Sequence, residues 1–121
     1  MGNVMAYMLL VVEPQGQRDT RTDAEGRAVY ARMVNFSEDL KQRGLLVMSQ
    51  SLKGDASGAR VKLREDSAMI TDGPFAETKE VIGGFFLLTC ETREQAIDIA
   101  RECPAAQWAT IEVRELGPCF A

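Results

Sequence analysis

The sequence contains no histidine, and that absence removes much of the familiar hydrolytic and metal chemistry. A Ser-His-Asp or Cys-His nucleophile has no general base here, and a zinc site of the usual Cys/His type is short of ligands. Any acid–base work falls to carboxylates, Lys, Tyr or Cys. Cysteine is scarce as well. Cys90, Cys103 and Cys119 are odd in number, widely spaced and form no CxxC, so they read as small buried hydrophobes and not as a disulfide framework. Folding is expected to need no metal, no disulfide and no cofactor.

There is no basic excess. Lys and Arg number 14 against 18 Asp and Glu, a formal charge of −4, which is the wrong sign for a general nucleic-acid binder. Long apolar runs are missing too, since Tyr7 to Val12 is far too short to span a bilayer. The first residues lack the basic start of a secretion signal, and Ala6 stands where a myristoylation signal wants Ser or Thr. A cytoplasmic protein with neither membrane nor nucleic-acid partners is expected.

What remains is an ordinary globular composition, 45% apolar and 26% charged over 121 residues, which suits a single domain over residues 1–121 with its core between about residues 7 and 116. Tyr7 to Glu13 reads as a strand apolar on both alternating faces, ended by Pro14 and Gly16. Thr22 and Glu25 have the spacing of a capping box, and Val29, Met33, Phe36 and Leu40 then recur at helical spacing up to Gly44. Gly26 weakens the first turn, so the start is expected at Thr22 or a few residues beyond. Leu45 to Leu52 reads as a strand, and Ala59 to Thr71 as a β-hairpin turning at Glu65-Asp66-Ser67. Val81 to Cys90 is a second strand apolar on both faces. A second capping box at Thr92 and Gln95 opens a short helix that Pro104 stops, and Thr110 to Leu116 alternates as a final half-exposed strand.

The order β-α-β-(hairpin)-β-α-β is the ferredoxin-like α+β arrangement, with the first and third core strands at the centre of the sheet. These are the two strands that are apolar on both faces. Two helices hide only one side of such a sheet. The other would be a larger apolar patch than monomers tolerate, so a second sheet packed against it at about 10 Å, and hence a two-fold homodimer, is expected.

The stretch Thr71 to Gly84, TDGPFAETKEVIGG, resembles the signature of the DGPF-domain family of the YCII-related superfamily. The likeness extends to YMLLV, GGFFLL, EQAIDIARECPAA and IEVREL, nearly the whole chain. The resemblance implies a dimeric α+β barrel. It implies no established reaction, although DGPF proteins are often reported beside extracytoplasmic-function sigma factors. Wider relatives resemble small-molecule dehydrochlorinases that use a His–Asp pair. Without histidine, only an aspartate role, at Asp72, is available by analogy.

Asp72-Gly73-Pro74 is by itself a strong turn signal, and one reading is that Asp72 merely caps that turn above a solvated charged face. The other places Asp72 as a candidate base and Lys79 as a second candidate, at the rim of an inter-sheet cleft. Around them Arg60, Arg64, Phe75, Glu77, Glu80, Gly83 and Gly84 are candidate substrate contacts. For each a blander role is at hand: a solvated hairpin face for Arg60, Lys62 and Arg64, a core or interface anchor for Phe75 and Trp108, and a β-bulge for Gly83 and Gly84. The leading expectation is a small-molecule-binding protein, a candidate cofactor-free lyase or isomerase. The alternative is a non-catalytic regulatory or interaction protein linked to sigma-factor-dependent transcription, with a structural DGPF loop.

Overall fold

The computed structural model describes residues 5–121. Chain order is β1 (Met5–Pro14), α1 (Asp23–Gln42), β2 (Leu46–Ser51), β3 (Ala59–Arg64), β4 (Ser67–Asp72), β5 (Glu80–Cys90), α2 (Arg93–Glu102) and β6 (Thr110–Glu115). Four strands form one antiparallel sheet in the order β2-β5-β1-β6. The two central strands are thus β1 and β5, the pair whose sequences are apolar on both faces. Among the described residues β3 and β4 pair only with each other.

Both helices lie on one face of the sheet. Tyr7, Leu9 and Val11 of β1 and Phe86, Leu88 and Cys90 of β5 alternate onto that face, where they meet Phe36 and Leu40 of α1 and Ala96, Ile99 and Ala100 of α2 in one buried cluster. Phe36 and Phe86 meet edge to face, ring centroids 5.2 Å apart. Leu9, Leu40, Leu88 and Ile99 are fully buried, each contributing roughly 2 kcal/mol by the apolar area it removes from water.

Local signals in the sequence place the helix ends. The Thr22 hydroxyl accepts the Glu25 amide while the Glu25 carboxylate accepts the Thr22 amide, a complete capping box. That box starts α1 at Asp23, with Gly26 inside the first turn, so Gly26 does not delay the helix; two satisfied amides outweigh its entropy. Gly44, at φ 72°, ends the helix in the left-handed conformation that glycine adopts readily. At α2 the box is only half made. Thr92 caps the Gln95 amide, but the Gln95 side chain accepts from the Glu91 amide instead of from Thr92.

The opposite face of the sheet carries Met8, Leu10, Val12, Phe85 and Leu87, all half-buried, and Met48 and Ile82, 45% and 48% exposed. None of these packs against the core cluster. The β3–β4 arm is exposed along its whole length. Its register puts Val61, Leu63, Ala68 and Ile70 on one side and Arg60, Lys62 and Arg64 on the other. Among the described residues no helix is long and apolar enough to cross a membrane.

Candidate functional site

A broad concavity lies on the helix side of the sheet. α1 buries Phe36 and Leu40 in the core, and Met33 packs against them. The start of α1, through Gly26, Val29 and Tyr30, and with it Met33, lines an open cleft of about 920 Å³ whose floor is the end of β1 and the start of β5. Trp108 and Ala105 close one end and Ser49 to Ser51 of β2 the side. The Ser37 and Ser49 hydroxyls share a hydrogen bond of 2.7 Å across the wall.

Glu13 sits in the floor. It follows Tyr7, Leu9 and Val11 in the strand's period of two, so the pleat turns its side chain inward, and it is the buried charged residue among the described residues. Its Oε1 meets Arg18 Nη2 at 2.7 Å. The same guanidinium donates to the Gly83 carbonyl at 3.1 Å and to the Leu52 carbonyl at 2.7 Å, tying β1, β5 and the end of β2 together. Gly83 is the extra residue of a β-bulge, since Val11 pairs with Gly84 and Val12 with Ile82. A Cβ on Gly83 would collide with the Glu13 carboxylate and the Arg18 guanidinium, and one on Gly84 would lie 2.8 Å from the Gln50 carbonyl. Both glycines expected at a site do line the cleft. They also form the bulge and the close strand contact, and the cleft they line is on the helix side, not the inter-sheet cleft expected from the sequence.

Trp108 both packs on the core and lines the cleft. Its ring has the Arg32 and Arg21 guanidinium carbons 5.1 and 5.9 Å from its centroid, and its carbonyl accepts from Gln17 at 2.7 Å.

The Asp72–Glu80 loop is organised differently from the simple turn cap. Asp55, on the turn before β3, caps it: its Oδ2 accepts the Phe75 amide at 2.9 Å and the Gln15 side chain at 2.6 Å. Those bonds, the Gln15 bond first, hold the Asp55 carboxyl below its ordinary pKa. Gly73 allows the close approach, since a Cβ there would collide with the Asp55 carbonyl. Phe75 is buried beneath the loop, with the Arg60 guanidinium 4.0 Å from its ring centroid and reaching Glu77 at 3.5 Å. The loop thus gathers Arg60, Phe75 and Glu77. Asp72, Arg64, Lys79 and Glu80 are exposed, and the Asp72 carboxylate has no hydrogen-bond partner among the described residues. None of these four lines the helix-side cleft. Among the described residues no group of three or more Cys, Asp or Glu could hold a metal ion. Cys90 and Cys103 are buried and unbridged, Cys119 exposed.

Glu13, Arg18 and Asp55 were not legible as site residues from motifs. For Glu13 a signal exists: a carboxylate in phase with three inward apolar residues.

A four-stranded antiparallel sheet, two helices on one face and a cleft under the first helix define a small α+β domain. Its sequence matches the YCII-related domain over residues 5–119, and the chain belongs to that family. It is 28% identical over 115 residues to an uncharacterized protein of Rhizobium meliloti (strain 1021), a match that covers 93% of each chain.

Proposed function

We propose that the protein binds a small amphipathic molecule in the cleft between α1 and the sheet. The observation that carries this is the cleft itself. About 920 Å³ is within the range of small-molecule sites. Its lining combines apolar and aromatic side chains, Val29, Tyr30, Met33, Phe86 and Trp108, with polar and charged ones, among them Glu13, Arg18, Arg21, Asp23 and Glu38. Trp108 is the sole tryptophan of the sequence, so ligand entry reports directly in its fluorescence. Native mass spectrometry of protein purified from cells, followed by a fragment screen read at Trp108, tests the proposal. A co-purifying small molecule, or fragments that quench Trp108 saturably, are expected. A screen in which no fragment perturbs Trp108, Met33 or Tyr30 overturns it.

The working unit we propose is a two-fold dimer of ferredoxin-like halves closed into an α+β barrel. Support comes from the apolar open sheet face, which two helices cannot reach and which soluble monomers seldom leave bare, and from the arm that buries nothing against its own domain.

A second reading keeps the chemistry at the Asp72–Lys79 loop, as a cofactor-free lyase or isomerase. It is favoured by the Asp72 carboxylate, which Asp55 relieves of any turn-capping duty. Asp72→Asn keeps the shape and removes the charge, so loss of ligand turnover with an intact fold supports this reading, and unchanged turnover sinks it.

A further inference from the structure

Within the cleft reading, on which this inference rests, one buried group is placed to orient the ligand. The Glu13 side chain is 8% exposed, and its Oε1 makes the short contact to Arg18. Oε2 has no donor among the described residues. Yet no buried side-chain oxygen or nitrogen among them lacks a partner, so Oε2 keeps some exposure, on a residue that lines the cleft. Stability alone does not call for this arrangement. A buried ion pair is often matched or bettered by apolar residues of the same volume, and β5 gives up a side chain at Gly83 to make room for it.

Arg18 sets what Oε2 accepts. The pair is neutral as a whole, and Arg18 is already spent on Glu13, Gly83 and Leu52. A cationic ligand therefore meets no net negative charge there, whereas a neutral hydroxyl or N–H meets a strong acceptor in a half-dry site. We infer that Glu13 Oε2 is the ligand-orienting acceptor of the cleft, and that the ligand is a neutral molecule whose apolar ring lies against Met33, Phe86 and Trp108 while a hydroxyl or N–H donates to Glu13.

The test uses p-cresol and p-xylene, which share a shape and differ by one hydroxyl, titrated into the full chain and followed by NMR. In the wild type p-cresol is expected to bind roughly tenfold tighter, the worth of one hydrogen bond to a charged acceptor, with ring protons close to Glu13, Met33 and Trp108. In Glu13→Gln the preference is expected to fall to about threefold or less, while p-xylene binds as before. Equal affinities in the wild type, or a full preference retained in Glu13→Gln, overturn the role of Glu13 and leave the cleft reading standing. Glu13 and Arg18 also line a smaller recess of about 340 Å³ with Pro74 and Ala76; ring contacts there instead of at Met33 and Trp108 likewise overturn the inference. If neither compound binds, the role of Glu13 falls, and the fragment screen decides the cleft reading. Should Glu13→Gln not fold, the wild-type comparison and its ring contacts decide alone.

Discussion

Asp55 closes the loop that Asp72 begins: its carboxylate takes the Phe75 amide at 2.9 Å, across 20 residues of sequence. With its folded pKa held below the ordinary 3.8, the ionised carboxylate contributes stability that is complete above that value and is lost as pH falls through the lowered one. Asp55→Asn should therefore melt earlier than the wild type at neutral pH, and the gap should close in strong acid. Paired thermal melts across the acid range check this; a gap independent of pH would mean that the charge on Asp55 does nothing.

Two glycines should respond in opposite directions to a single methyl group. Gly26 has nothing within 4 Å of where its Cβ would sit, so Gly26→Ala should stabilise α1 by about 0.5–1 kcal/mol. Gly73→Ala drives a Cβ into the Asp55 carbonyl and should cost about 1–3 kcal/mol as the loop gives way. Urea midpoints of the two variants decide the signs.

For the dimer, a charge in the middle of the open sheet face is the sharpest probe. Leu87→Asp should raise the dimer dissociation constant by at least about a hundredfold, the cost of an unpaired charge taken into an apolar interface. Fold content by circular dichroism should hold, because Leu87 does not pack on the core. Sedimentation at micromolar concentration reads the result, and a wild type that sediments as a monomer would end the proposal.

Burial pushes the Cys90 and Cys103 thiols up from their ordinary values, whereas Cys119 is exposed. A thiol reagent at mildly alkaline pH should modify Cys119 quickly and reach the other two only after unfolding. Fast labelling of all three in the native protein would contradict the buried positions.

Much of this architecture is readable from residues alone. The two faces of Tyr7–Val12 and Val81–Leu88 announce central strands, and Thr22 with Glu25 announces the start of α1. What stays hidden depends on contacts far apart in sequence. The turn looked self-sufficient because Asp72-Gly73-Pro74 satisfies local rules, but its cap comes from Asp55, which also binds Gln15 across 40 residues. The cleft is equally non-local. Val29 and Met33 keep the spacing of core residues, yet both line the cleft, Met33 while also packing on the core. Glu13 alone broke a pattern in plain view, by carrying charge in the inward phase of β1.

The arm formed by β3 and β4 has one further consequence. Two strands alone are marginal in water, and these turn through Glu65 and Asp66, both at positive φ without being glycine. Their amides should accordingly exchange with deuterium through frequent local opening while the sheet amides of β1 and β5 stay protected. If a second copy covers the arm, that protection rises with protein concentration by mass action, and the amides from Ala59 to Asp72 become a gauge of assembly that needs no label and no variant.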